Sequence, residues 1–148
     1  MVINPYEKYK KAQVETANQG KLILMLYDGA IRFLNLALVA LSKRILDQAN
    51  NNIIRAQDII WELLGSLDME RGGEIAANLF KLYDYMNRRL ILANIKKDPA
   101  PVTEIINILQ QLREAWAVVF KESTTCGIRE NSPLSNLPVN GGQISFER

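Results

Sequence analysis

The sequence predicts an all-α fold, an antiparallel up-down four-helix bundle with an N-terminal arm and a flexible C-terminal tail. Apolar residues recur at helical spacing through most of the 148 residues, and no segment alternates apolar and polar residues for long enough to indicate a strand. The polar breaks between helical segments are short, so consecutive helices should pack antiparallel. We expect an arm over residues 1–17, a bundle over 18–121 and a tail over 122–148.

Each predicted helix begins at or after a local break signal. Asn18 suits the start of the first helix, because its side chain can accept a hydrogen bond from a free backbone N–H group. The second helix follows the asparagine run 50–52 and the third follows Gly72. The fourth follows residues 98–101, where aspartate can cap and proline suits the first turn. The predicted ranges are Asn18–Arg44, Asn52–Leu67, Gly73–Lys96 and Pro101–Lys121.

The composition excludes several classes of protein. The chain has no histidine, which removes the Ser-His-Asp triad, the Cys-His pair and histidine-based metal sites. Carboxylates and tyrosines remain, but they do not converge on a catalytic set, so we expect no enzyme, no metal and no cofactor. Its 18 Lys and Arg residues nearly balance 16 Asp and Glu residues, and no concentrated basic patch indicates a nucleic-acid partner.

The expected compartment is the cytosol. Cys126 is the only cysteine, so no internal disulfide can form. The first 19 residues lack the pattern of a cleaved signal peptide. The segment Leu22–Leu41 has 16 apolar residues in 20, but Asp28 and Arg32 lie in its middle, and central charges cost roughly 2.5–3.5 kcal/mol each on insertion. We therefore predict no stable membrane insertion, with a lipid-bound first helix as an alternative that a flotation assay would detect.

Three of the predicted helices carry more apolar surface than one core stripe requires. On the second helix, Ile54 and Trp61 lie nearly opposite the main stripe at a spacing of seven. On the third, Tyr85 and Leu92 form a second line, while Ile75 belongs to the expected core stripe. The first helix is apolar around almost its whole circumference. The fourth has one stripe, which assigns Trp116 to the core.

Two explanations of this surplus surface stay open on the residues alone. The arm, the tail or a homodimer contact could cover it, or it could form a groove for an amphipathic partner helix. Tyr6 and Tyr9 on the arm would share one face if the arm were helical. The pairs Asp28/Arg32 and Asp84/Arg88 are spaced four apart, which favours ordinary surface ion pairs.

An ordered set of segments from about residue 4 to 120 matches the pattern of one known family. The segments are Asn4-Pro5-Tyr6-x-x-Tyr9, Val14-Glu15-Thr16-Ala17, the run from Leu22 to Leu34, Gly72-Gly73-Glu74-Ile75-Ala76-x-Asn78-Leu79, Leu82-Tyr83-Asp84-Tyr85-Met86, Arg88-Arg89-Leu90, Glu104 and Leu112-Arg113-Glu114-Ala115-Trp116. With these segments the chain resembles the family of the flagellar export chaperone FliS. The tail after Lys121 matches nothing in the family pattern. Asn18 and Gln19 stand where the family often has a small residue followed by proline, so the first helix can start differently here.

This resemblance implies a cytoplasmic, non-enzymatic helical bundle that binds the C-terminal segment of flagellin. Such a protein blocks premature filament assembly and helps deliver flagellin to the export gate of the flagellar secretion apparatus, and its arm covers part of the client surface when no client is bound. The alternative is a self-assembling helical structural or adaptor protein whose surplus surface is a homodimer interface. The predicted client-binding residues are Tyr6, Tyr9, Ile23, Tyr27, Ile54, Trp61, Tyr85 and Leu92.

Overall fold

The structure, a computed structural model, describes residues 19–126, with side chains through Lys121. These residues form four helices and no strand, which confirms the all-α prediction. The predicted N-terminal arm, the predicted helix start Asn18 and the chain beyond Cys126 lie outside the described residues. The helices are α1 Gln19–Ser42, α2 Leu46–Gly65, α3 Met69–Lys96 and α4 Pro99–Cys126.

Each helix packs beside two others, so that α1 and α3 both contact α2 and α4. Asn50 near the start of α2 bonds Asn94 near the end of α3, with 2.8 Å between Nδ2 of Asn94 and Oδ1 of Asn50. Asp28 of α1 accepts from Arg113 in the second half of α4, at 2.5 Å from Nε and 3.1 Å from Nη2. Between α2 and α3, the contacts Asn50–Asn94 and Gln57–Asn87 run in opposite directions along the two helices. The contacts Gly20–Phe120 and Asp28–Arg113 do the same between α1 and α4, so both pairs pack antiparallel, as predicted.

The predicted start of the second helix is wrong. The asparagine run 50–52 lies inside α2, which begins at Leu46. Asn52 donates from Nδ2 to the carbonyl of Gln48 at 2.9 Å, and Asn50 is held by its bond to Asn94. Asparagine favours turns because its side chain competes for backbone partners, but here these side chains find partners compatible with the helix.

A short turn from Met69 precedes the predicted start of the third helix at Gly73, where the backbone is not helical, and the fourth helix begins at Pro99, slightly earlier than predicted. An aspartate caps each start. Asp68 accepts from the backbone N–H groups of Glu70 and Arg71 at 3.1 and 3.0 Å, and α3 starts at Met69. Asp98 accepts from the N–H of Ala100 at 3.0 Å. These bonds satisfy N–H groups that a helix start leaves free. At its other end α4 runs to Cys126, beyond the predicted end at Lys121.

Gly73 bends the first turns of α3. Its φ of 54° and ψ of −127° are not helical, and L-residues with a Cβ rarely adopt this conformation. A Cβ at this position would have no neighbour within 4 Å, so a substitution tests the backbone alone.

We expect Gly73→Ala to lower the free energy of unfolding by about 1–2 kcal/mol in urea unfolding. Asn78→Ala, on an exposed turn of the same helix, is the control, and a stabilised Gly73→Ala variant would contradict the prediction.

The core runs along the centre of the bundle. Trp116 lies in it and stacks on Phe120 with 5.4 Å between ring centroids, which confirms its predicted place. Ile75 was assigned to the core but is 53% exposed. Ile75 is 12 residues before Asn87, or about 120° around the helix, so it lies at the edge of the core stripe that is farther from the Gln57–Asn87 contact.

Among the described helices, α1 is the one that is long and apolar enough to cross a membrane. The core helix of a soluble protein passes the same test of length and composition. In this bundle the inner side of α1 is buried against the other helices, and its Asp28 is bound to Arg113 of α4. The buried residues of α1 are Gly20, Ile23, Tyr27, Ala30, Leu34, Ala37, Ala40 and Leu41.

Candidate functional site

The predicted client-binding residues fall into three groups. Four of them are exposed apolar or aromatic side chains, with Ile54 at 43%, Trp61 at 51%, Tyr85 at 42% and Leu92 at 44%. Ile23 and Tyr27 are buried in the core. Tyr6 and Tyr9 lie outside the described residues. Only the first group therefore offers side chains to a partner without any rearrangement of the bundle.

Ile23 and Tyr27 require a correction, since they were predicted for the client surface. Ile23 is 2% exposed and Tyr27 is 0% exposed. The sequence could not separate the inner from the outer side of α1, because nearly the whole circumference is apolar. A client could reach either side chain only by opening the bundle, and the outward apolar residues of α1 are instead Met25, Leu36 and Val39.

The Tyr27 hydroxyl joins three helices inside the core. It lies 2.5 Å from the hydroxyl of Tyr83 on α3 and accepts from the indole N–H of Trp116 on α4 at 3.0 Å. Buried tyrosine and tryptophan need such partners, because an unpaired polar group in the core costs free energy. This three-residue contact is therefore a structural element of the bundle, not part of a surface site.

These tyrosines predict a loss of stability in base. Burial raises the pKa of Tyr27 from 10.0 to about 12 and raises the pKa of Tyr83 well above its ordinary value. Because both pKa values are higher in the folded state, the stability they contribute is complete below about pH 10 and is lost as pH rises through about 12. Urea unfolding across this range should show a falling free energy of unfolding. A Tyr27→Phe/Tyr83→Phe variant should show a smaller fall, and an equally steep one would contradict the assignment.

Ile54 and Trp61 lie along the outer edge of the contact between α2 and α3. Ile54 lies one helical turn after Asn50, which bonds Asn94 of α3. Trp61 lies one turn after Gln57, which donates to the backbone oxygen of Asn87 of α3. Residues four apart share a helix face. The same spacing places exposed Ile91 beside Asn87 on α3. We name this surface the α2–α3 groove, with rims of Ile54, Trp61, Phe80 and Ile91 and a floor of Asn50, Gln57, Asn87 and Asn94.

Tyr85 and Leu92 lie on the other side of α3, toward α4. Tyr85 donates from its hydroxyl to Glu104 at 2.5 Å, and Arg89 donates from Nε to the other oxygen of Glu104 at 2.9 Å. The hydrogen bond from Tyr85, aided by Arg89, lowers the pKa of the Glu104 carboxyl below its ordinary value. Leu92 lies two turns from Tyr85 on the same side. Tyr85 is therefore bonded toward α4, whereas Ile54 and Trp61 border the contact between α2 and α3.

Charged side chains border the apolar surface of α1. Arg32 and Arg55 lie over the Phe33 ring, at 5.0 and 5.7 Å from its centroid, which favours cation–π contact. The predicted Asp28/Arg32 pair is wrong, because Asp28 bonds Arg113 on α4. The predicted pair on α3 is confirmed, with 2.9 Å between Asp84 Oδ2 and Arg88 Nη2.

Within residues 19–126, the described side chains include no group of three or more His, Cys, Asp or Glu residues that could hold a metal ion. The exposed apolar residues are much more numerous than the four that the sequence predicted. Phe80 and Ile91 were missed on α3, although their spacing from Asn87 and Asn94 places them on one side of the helix. The additional exposed large apolar residues include Met25, Leu36, Val39, Ile75, Phe80, Ile91, Ile95 and Val118.

Comparison with known proteins decides the family. The family model described as "Flagellar protein FliS" matches residues 2–123. This chain belongs to the FliS family. It is 41% identical over 113 residues to the "Flagellar secretion chaperone FliS" of Bacillus subtilis (strain 168), covering 76% of this chain and 84% of that protein. The match to the Salmonella typhimurium (strain LT2) protein of the same description is 39% over 115 residues, covering 77% and 85%.

More distant relatives agree. The Escherichia coli (strain K12) protein, also described as a flagellar secretion chaperone FliS, is 33% identical over 107 residues, covering 72% of this chain and 79% of that protein. FliS-family relatives are therefore recognised across most of the bundle. The family match ends at residue 123, so the tail beyond it lies outside the shared part.

Proposed function

We propose that this FliS-family chain is a cytoplasmic, non-enzymatic chaperone that binds the C-terminal segment of flagellin. Binding blocks premature polymerisation of flagellin, and the complex then aids its delivery to the flagellar export gate. The observation that carries the proposal is the exposed apolar surface on both sides of α3, in a chain whose relatives are described as flagellar secretion chaperones. A soluble bundle that had no partner would have little use for so many exposed large apolar side chains.

The energetics suit a client that is disordered when free. Ordering its backbone costs roughly 1–2 kcal/mol per residue, and apolar burial returns about 25 cal/mol for each Å² removed from water. A surface that flanks α3 on two sides lets an extended or partly helical segment wrap the bundle and bury apolar area along its length. The net affinity can stay moderate, which allows release of the client at a secretion channel.

Calorimetric titration with purified flagellin tests the proposal. We expect binding to full-length flagellin and no measurable binding to flagellin that lacks its C-terminal segment. A filament-growth assay should then show that the chaperone at equimolar concentration suppresses polymerisation of the intact protein. Equal binding to both forms of flagellin would contradict the assignment of the C-terminal segment as client.

Light scattering separates the chaperone from a self-assembling structural protein. The homodimer alternative would also bury exposed residues such as Trp61 and Leu92. A chaperone should shift to a one-to-one complex when flagellin is added, whether or not the free chain dimerises. A dimer whose mass does not change with flagellin would support the homodimer alternative. Pull-down of the cytoplasmic part of the export gate, with and without flagellin, tests the delivery step.

A further inference from the structure

Asn87 of α3 is a buried polar side chain that lacks partners in the part of the chain that the structure describes. It is 1% exposed, and neither its side-chain nitrogen nor its side-chain oxygen has a hydrogen-bond partner. Native proteins pair nearly all such atoms, because burying an amide without a partner costs free energy. An unpaired carboxamide at this position therefore calls for an explanation beyond the stability of the bundle.

A second pair of carboxamide side chains in the α2–α3 groove shows how such groups are normally hydrogen-bonded. Asn94 lies two turns after Asn87 on the same side of α3, and Asn50 lies two turns before Gln57 on α2. Asn94 and Asn50 pair through their side chains at 2.8 Å. At Asn87, by contrast, Gln57 donates to the backbone oxygen of Asn87 over 3.4 Å and does not reach its side chain. The Asn50 and Asn94 side chains are therefore paired with each other, whereas the Asn87 side chain has no hydrogen-bond partner.

We propose that Asn87 is a specificity-determining contact for the segment that binds in the α2–α3 groove, and that this segment pairs with it through an Asn or Gln side chain. The assignment rests on the proposed function for the source of the segment, the C-terminal part of flagellin. A carboxamide presents a donor and an acceptor side by side, as Asn87 does. A carboxylate could accept only from its nitrogen, and an ammonium group could donate only to its oxygen.

The surroundings of Asn87 favour such a pair. Trp61 and Ile91 project from the two rims, so an amphipathic segment would bury apolar anchors on either side of the polar contact. Exclusion of water by these anchors strengthens the hydrogen bonds between them. Because Asn87 is 1% exposed, a client reaches it only if neighbouring side chains move, and Gln57 is the α2 side chain that contacts Asn87. Its 3.4 Å bond is beyond the usual length of an N–H···O hydrogen bond, so this movement gives up little.

The first test compares the wild-type chain with Asn87→Leu, which keeps the branched shape of the side chain at Cγ and removes its polar atoms. We expect titration with a peptide of the flagellin C-terminal segment to show about tenfold weaker binding by the variant. Its urea midpoint should be equal to or above that of the wild type, because an unpaired buried amide is removed. Asn35→Leu is the control at an exposed asparagine on α1, and its affinity should not change.

The second test uses peptides in which each Asn or Gln of the client segment is replaced by Ala in turn. One replacement should weaken binding to the wild-type chain about tenfold and have little effect on Asn87→Leu, because the two changes remove the same contact. If Asn87→Leu does not fold, the scan on the wild type alone decides, and the absence of a sensitive carboxamide overturns the assignment. Unchanged affinity of a folded Asn87→Leu variant also overturns it. A wild-type chain that binds no flagellin segment overturns the proposed function as well.

Discussion

Replacement of Trp61 by glutamate should weaken binding of the flagellin C-terminal segment by about 30-fold or more, equivalent to about 2 kcal/mol. Trp61 is half exposed on the rim of the α2–α3 groove, and tryptophan is among the residues that carry most binding energy when a partner covers them. Glutamate removes this apolar area and adds a charge that the client would have to desolvate. Calorimetric titration of both chains with the same peptide measures the loss.

The fold should tolerate Trp61→Glu. Surface substitutions away from packed features usually change stability by less than about 0.5 kcal/mol, and Trp61 is not part of the core cluster. The matched control is Val118→Glu, which adds the same charge at an exposed apolar position on α4, outside the groove. If Trp61→Glu unfolded the bundle, or if it and Val118→Glu weakened binding equally, the α2–α3 groove would not be the binding surface.

Much of the fold followed from periodicity, because core positions recur at helical spacing in every helix. The helix boundaries were predicted less accurately than the fold. Residues 50–52 look like a break in the local sequence, yet Asn50 is stabilised inside α2 by Asn94, a residue distant in the chain. The exposure of Ile75, at the edge of the α3 core stripe, likewise depends on how the neighbouring helices are placed around it. Tertiary contacts and helix lengths override local preference in both cases, and neither is readable from a single segment.

The candidate site was predictable where a helix has a distinct polar side. Ile54 and Trp61 stand out because they lie opposite the core stripe of α2, and Tyr85 and Leu92 stand out on α3 for the same reason. A helical wheel gives the angle of a residue but not the position of the neighbouring helices. The sequence therefore could not show that Ile54 and Trp61 border the α2–α3 contact while Tyr85 bonds α4, or that Ile91 lies beside the first pair.

The helical wheel of α1 is apolar on almost every side, so it could not indicate which side faces the core. This explains why Tyr27 was predicted on the client surface. Its burial, together with its contacts to Tyr83 and Trp116, makes a strong prediction about stability. We expect Tyr27→Phe to lower the free energy of unfolding by about 1–3 kcal/mol. The phenylalanine ring still fills the same space. The loss comes from the Tyr83 hydroxyl and the Trp116 indole N–H, which each lose their hydrogen bond to Tyr27 in the core. Urea unfolding followed by tryptophan fluorescence and by circular dichroism measures it.

The control for Tyr27→Phe is Tyr85→Phe, which removes a hydroxyl from the exposed contact with Glu104 and should leave the unfolding midpoint nearly unchanged. Titration with the flagellin segment separates a structural role of Tyr27 from a client contact. A structural hydroxyl lowers stability while the folded Tyr27→Phe variant keeps its affinity for the client. The reverse result, unchanged stability with weakened binding, would mean that the bundle opens to present Tyr27, and that the client reaches the core side of α1. Since the Tyr27 hydroxyl joins α1 to both α3 and α4, such opening would have to break both of its hydrogen bonds, to Tyr83 and to Trp116.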